Sequence, residues 1–218
     1  MKNLNKWVKN MKQGKISAAT ITVALIGVFL CGVGVSFNNC AGLGNDSVGI
    51  FYDGIRSFMG LTGEQLGMVS NIVNISLLIL MLIIGRRYVS IGTLVYLIPY
   101  GFCVTIGNTI YNIVAVSEAL PFRIIYAVCG CLLICIGVAL FITADIGVDP
   151  MTGLVLVLVD ALKKEYRIVK IGFDIAMISI GFLLGGKAGI VTIVTGLCVG
   201  PCIQFFNEKF IQLLVKPD

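Results

Sequence analysis

Hydrophobic positions along the chain fall into long blocks separated by short polar or glycine-rich breaks, and the blocks set the first expectation. Six apolar stretches of roughly span length lie near residues 17–37, 65–84, 89–110, 122–143, 167–184 and 188–206. At ~1.5 Å per residue, about 20 helical residues cross a hydrocarbon core of ~30 Å, so each block can span a bilayer alone. Two stretches remain between blocks, 38–63 and 144–165. Each holds an apolar helix candidate too short to cross comfortably, at about 47–60 and 150–162. The pattern predicts an all-α polytopic membrane protein of about six transmembrane helices plus two short re-entrant or broken helices.

Composition supports the membrane reading. Of 218 residues, 58% are apolar and 12% charged, with a mean hydropathy of +1.01; soluble domains carry about 25% charged residues. The net charge of +5 does not indicate nucleic acid, because the basic residues gather at span ends rather than on one face. Lys2, Lys6, Lys9, Lys12 and Lys15 precede the first block. That block is full span length and lacks a convincing small-residue cleavage site, so it reads as a retained span rather than a signal peptide.

The positive-inside rule then fixes the expected topology. If both short helices are re-entrant, the N-terminal lysines, Arg86, Arg87, Lys163, Lys164, Arg167, Lys170, Lys209 and Lys216 all face the cytosol, thirteen of sixteen basic residues. If both crossed, Arg86 and Arg87 would move outside and the bias would weaken. Six spans with both termini in the cytosol of a bacterial cell are therefore expected.

An internal repeat divides the chain. Residues 27–46 match 130–149 at a constant offset, with Gly27/Gly130, Leu30/Leu133, Gly34/Gly137, Val35/Val138, Ala41/Ala144, Gly44/Gly147 and Asp46/Asp149 identical. The match resumes with Gly85/Gly185, Thr93/Thr192, Gly101/Gly200 and Asn108/Asn207. Chance pairing among 26 glycines is the competing explanation, and the repeated Asp argues against it. Two homologous halves follow, 17–110 and 122–207, joined by 111–121 and flanked by a basic 1–16 segment and a cytosolic 208–218 segment. Three spans per half force the second copy to enter from the opposite side, the inverted arrangement of many secondary transporters, whose sites lie at the midplane beside discontinuous helices.

Candidate functional residues cluster at the breaks. Gly147-Val148-Asp149-Pro150 is matched by Gly44-Asn45-Asp46-Ser47, and both read as helix starts. Asp accepts from first-turn amides, and Pro suits the first helical position. Half-helices beginning inside the membrane would aim positive dipole ends at an anionic or strongly polar group; the alternative is that Asp46 and Asp149 are caps alone. Asp174 in the fifth block, and Asn71 and Asn74 in the second, are intramembrane polar groups and so site candidates. A local Lys170–Asp174 pair is the alternative for Asp174. Thr152, Asn39 and Tyr100 complete the expected substrate-binding set, with Asn38, Asp145, Asn108 and Gln204 as further polar groups near the breaks or in spans.

Other chemistry has little support. The eight cysteines lie almost wholly in apolar runs, which argues against a disulfide framework. Cys131/Cys135 and Cys198/Cys202, each four apart, leave soft-metal transport conceivable, but with no His and no CxxC the cysteines read as small hydrophobes. There is no nucleophile motif or phosphate-binding loop, so no enzyme, catalytic residue, metal or cofactor is expected.

The second half resembles the bacterial YczE/YitT-like family of small integral membrane proteins, through Ala144–Gly153 (ADIGVDPMTG) and the stretch from Gly185 (GGKAGIVTIVTGLCVGP). Val191 departs from the family's second Gly in its Gly-Ile/Leu-Gly-Thr element, and the first half has Ser47 where the family often has Pro. The resemblance implies a membrane fold and transport, without a substrate. The expected function is secondary transport or export of a small polar, anionic where charged, metabolite between the halves. The alternatives are a non-transporting binding subunit of a larger importer or a membrane scaffold. The lipid bilayer and a small-molecule substrate are the expected partners, no nucleic acid is, and the small size leaves room for a homodimer.

Overall fold

The computed structural model describes residues 17–214, with side chains to Gln212; the N-terminal lysines and the extreme C-terminus lie outside the described residues. Among these, eight α-helices and no strands form: α1 Ala18–Ala41, α2 Ser47–Phe58, α3 Leu66–Ile84, α4 Ile91–Val114, α5 Leu120–Ala144, α6 Pro150–Leu162, α7 Tyr166–Leu183 and α8 Ile190–Leu214. Five of the long helices, α1, α3, α4, α5 and α8, are apolar enough to cross a membrane. The sixth long helix, α7, is interrupted by Arg167, Lys170 and Asp174.

Three span ends differ from expectation, with the third span, α4, continuing past 110 to Val114. The first helix runs through Asn38, Asn39 and Cys40 to Ala41, because Asn38 is fully buried with its amide against Cys131 Sγ at 3.6 Å and needs no loop to satisfy it. Gly42 then ends the helix in the left-handed conformation (φ 65°), donating to the Asn38 and Asn39 carbonyls. The last helix continues past 206 to Leu214.

Glycine sets the central crossing. Gly27 and Gly34 on α1 meet Gly137 and Gly130 on α5, and a Cβ at Gly27 would lie 2.7 Å from the Gly137 carbonyl oxygen. Such close backbone approach is how helices associate in lipid, where burial of apolar surface supplies no drive. The order of these pairs makes α1 and α5 antiparallel. By the same reasoning α4 runs parallel to α1, with Gly32 against Cys103 and Phe37 against Tyr111, and α3 runs antiparallel to α4, with Gly67 against Thr105 and Asn71 against Gly101. We call the end that holds Ser17 and the α3–α4 turn the base, and the opposite end the top.

The short helices pack across the halves. On α2, Ser47 bonds Asp174 halfway along α7, Ile50 and Gly54 meet Gly181, and Ser57 meets Gly185. So α2 runs parallel to α7, from the middle of the bundle to the top. On α6, Gly153 meets Met81 and Val157 meets Gly85, which sends α6 along α3 to the base. Neither short helix crosses the bundle; each begins inside it and leaves by the end from which its chain entered.

Candidate functional site

The breaks deliver both half-helix starts to the bundle interior. Gly44 (φ 106°) and Gly147 (φ 144°) take backbone conformations that favour glycine, turning the chain back from the ends of α1 and α5. Each break is held by a backbone bond to the far half: Val191 N–H donates to the Leu43 carbonyl at 3.1 Å, and Gly92 N–H to the Ile146 carbonyl at 3.0 Å. Asn45 Nδ2 donates to the Val35 carbonyl at 3.1 Å, which anchors the first break against α1.

The two Asp caps differ. Asp149 Oδ2 accepts from the Thr152 N–H at 3.0 Å, as expected of an N-cap. Asp46 occupies the same position on α2 but makes no side-chain cap bond, and its Oδ1 is buried without a partner. Its neighbours are Lys170 and Asp174, both within electrostatic reach. Asp174 Oδ1 accepts from Lys170 Nζ at 2.7 Å and from the Ser47 hydroxyl at 2.6 Å, so the local pair forms and also ties α7 to the start of α2.

Between the caps lies a second set of polar groups. Tyr52 on α2 donates its hydroxyl to Asn74 Oδ1 on α3 at 2.9 Å, and both residues are buried. Asn74 Nδ2 is buried with no partner. Tyr52 lies within electrostatic reach of Asp149 and Asp46. Its ring neighbours Tyr100 (centroids 6.1 Å apart), which stacks on Tyr96 at 4.9 Å. Buried polar atoms in proteins are overwhelmingly paired, and an orphan costs about 1–3 kcal/mol. Here one orphan is an acceptor and the other a donor, in the same buried cluster.

Of the expected residues, the fold brings Asp46, Asp149, Asn74, Asp174 and Tyr100 into this region, with Thr152 contributing its backbone amide. Asn71 accepts from the Gly101 N–H at 2.9 Å, just past Pro99, and so ties α3 to α4. Asn39 lies eight residues along α1 from Cys31, about 12 Å toward the top. Tyr52, Tyr96 and Ser47 join the region without having been expected. The four-residue spacing of Tyr96 and Tyr100 is the signal that could have found one of them. Among the described residues no group of three or more His, Cys, Asp or Glu is arranged to hold a metal ion.

The far end of each short helix is tied to a turn of the other half. At the base, Asp160 on α6 pairs with Arg87 and accepts from the Tyr88 hydroxyl. At the top, Asp53 on α2 pairs with Arg56 at 2.8 Å, and its other oxygen accepts from the Lys187 N–H at 2.9 Å. The polar cluster is closed between these two ties: Asn74 is 0% and Tyr100 2% exposed.

Residues 18–208 match a family of unknown function, DUF6198. The chain belongs to that family. It is 27% identical over 194 residues to an uncharacterized protein of Haemophilus influenzae, covering 89% of this chain and 86% of the relative. It is 24% identical over 204 residues to the uncharacterized membrane protein YczE of Bacillus subtilis, covering 94% and 92%. The resemblance to YczE-like membrane proteins therefore extends over nearly the whole chain and includes the first half. No solved structure matches the chain.

Proposed function

We propose that this DUF6198 protein is a secondary transporter of the bacterial cytoplasmic membrane, built from two inverted repeats that enclose a site between the starts of α2 and α6. The observation that carries the reading is the pair of buried orphans, Asp46 Oδ1 and Asn74 Nδ2, beside two half-helix starts. Non-helical backbone at membrane depth is tolerated where it lines a cavity or is buried in protein, and discontinuous helices of this kind frame transporter sites.

Recurring contacts support the repeat. Cys40 Sγ bonds Asn108 Oδ1 at 2.8 Å, and Thr143 Oγ1, at the matching position, bonds Asn207 Oδ1 at 2.9 Å. The Ser90 and Gly189 N–H groups donate to Thr93 and Thr192 hydroxyls, each at 3.2 Å. The antiparallel Gly27–Gly137 and Gly34–Gly130 contacts exchange under the same correspondence, as a two-fold axis lying across the bundle requires. The cluster of basic residues at the base, Arg86, Arg87, Lys163, Lys164 and Arg167, supports a cytosolic base.

The orphans also narrow the solute. Three carboxylates, Asp46, Asp149 and Asp174, accompany one ammonium, Lys170, which disfavours a purely anionic solute at the centre. A solute that supplies a donor to Asp46 and an acceptor to Asn74, a zwitterion or an amide, satisfies both. Access requires that one tie release, Asp53 with the Lys187 amide at the top or Asp160 with Arg87 and Tyr88 at the base, which is the alternation a transporter needs.

Thermal shift of detergent-purified protein against zwitterionic and amide metabolites tests this reading, followed by uptake of any hit into proteoliposomes. A saturable rise that disappears in Asp46→Asn and Asn74→Leu, together with uptake, is expected. Binding without uptake would point to a capture subunit. No rise with any compound would overturn the reading in favour of a scaffold.

A further inference from the structure

Among the described residues, three basic residues depart from the bias toward the base: Arg56, Arg123 and Lys187. All three sit at the top. Arg56 is committed, paired with Asp53 and donating to the Leu61 carbonyl. Arg123 and Lys187 instead line a cavity of about 690 Å³ between the ends of α1 and α4, the start of α5 and the α7–α8 turn. That volume lies within the ~300–1,000 Å³ of small-molecule sites. Cys40, Tyr111, Asn112 and Glu118 also line it.

Arg123 is pre-set. Its Nε donates to the Ala41 carbonyl at 2.7 Å and its Nη2 to the Gly42 carbonyl at 3.0 Å, so the guanidinium is fixed against the C-terminus of α1 at the cavity wall. Lys187 is exposed and makes no ion pair among the described residues. Two cations therefore face the single carboxylate of Glu118, with the phenol of Tyr111 and the amide of Asn112 as neutral hydrogen-bonding groups. The sign is opposite to that of the central cluster, where carboxylates outnumber the ammonium.

We propose that this cavity is a second site, distinct from the central one, that binds a small anion through a carboxylate or phosphate group held by Arg123 and Lys187. Charge-assisted bonds from a positioned guanidinium and a mobile ammonium suit that chemistry. The proposal rests on the transporter reading only in placing the cavity on the outer face. The site has a mechanical connection: the Lys187 N–H is the group that Asp53 of α2 holds at the top. An anion bound at Lys187 acts on the turn that keeps α2 closed.

Calorimetric titration of the purified protein in an uncharged detergent, at fixed ionic strength, tests the proposal with inorganic phosphate and malonate as probes. Saturable binding of at least one probe is expected. Lys187→Gln should weaken it about tenfold, and Glu118→Gln should tighten it. Both side chains are exposed and neither ties two helices together, whereas Arg123 also caps α1. Asn74→Leu should leave the affinity unchanged, which separates this site from failure of the central one. Absence of saturable binding, or equal affinity in all three variants, overturns the proposal. Binding of short-chain phosphatidylglycerol without binding of phosphate or malonate also overturns it, by assigning the cavity to a lipid headgroup.

Discussion

Helices α4 and α8 are each the last long helix of one half of the sequence and are aligned by the proposed repeat, yet 50% of the most apolar window of α4 is buried against 11% of that of α8. In the first half, α4 is wedged between α1 and α3. Gly101 faces the Gly67 carbonyl and Asn71, and Gly32 admits Cys103. In the second half, the proposed repeat puts Arg167 in the place of Gly67, and Gly172, Gly196 and Gly200 have open space around them. There α8 rests on α5 and leaves α7 to pack with α2. The same order of elements does not impose the same packing. In lipid an apolar face left uncovered carries little penalty, so one half can close while the other stays splayed.

The largest expected effect comes from a second contrast. Asp53, which is buried, pairs with the largely covered Arg56 on α2, while Leu156 and Val159 on α6, which the proposed repeat aligns with them, are buried and apolar. Removing one member of a buried pair leaves the other uncompensated, so Asp53→Leu should destabilise by about 3–5 kcal/mol. Asp53→Leu with Arg56→Val, which copies the second half, should recover most of that loss. The bonds to the Lys187 N–H and from Arg56 to the Leu61 carbonyl, about 1 kcal/mol each, stay lost. Chemical denaturation in detergent measures both. A double variant no better than the single one would mean that the pair is not equivalent to its apolar counterpart.

Next in size is the helix crossing itself. Gly101→Leu drives a side chain into the Gly67 backbone and Asn71, and should cost about 1–3 kcal/mol. Gly200→Leu, at the matching place on α8, meets nothing within 4 Å and should change stability by less than about 0.5 kcal/mol. Equal losses at the two positions would show that α8 is as tightly packed in the membrane as α4.

What was readable in the sequence follows from local geometry. Span lengths, the two breaks and the Lys170–Asp174 pair depend on helical rise and on four-residue spacing, which the chain carries along its own length. The offset glycines of α1 and α5 were visible as a pattern along the chain. Partners across the fold were not readable. The role of Asn71 depends on the Gly101 N–H thirty residues away, and Asn39 was grouped with the breaks because α1 was expected to end before it. Tyr52 lay in a stretch without an assigned span, and nothing in its surroundings signals that α2 packs on α7 of the opposite half. The difference between Asp46 and Asp149, one orphaned and one capped, is likewise invisible in two matching Gly-x-Asp motifs.

The smallest expected effect on stability is the sharpest on function. The proposed repeat aligns Asn74 on α3 with Asp174 on α7, but Asp174 is paired twice while Asn74 keeps a free amide. A polar group retained in a buried place without full pairing is held against its own cost. Replacing both members of a buried hydrogen bond by apolar groups of similar shape is nearly neutral or stabilising. Tyr52→Phe with Asn74→Leu should therefore melt within about 0.5 kcal/mol of the wild type, or above it, because it removes an orphan along with a bond. If the orphan is kept for a solute, the same variant should lose the ligand-induced thermal shift and uptake entirely. Matching changes at the paired position test the converse: Asp174→Leu leaves Lys170 and Ser47 unpartnered, and should cost stability before it affects binding. A double variant that melts well below the wild type would assign Tyr52 and Asn74 to packing, and would move the search for the solute toward Asp46 and Lys170.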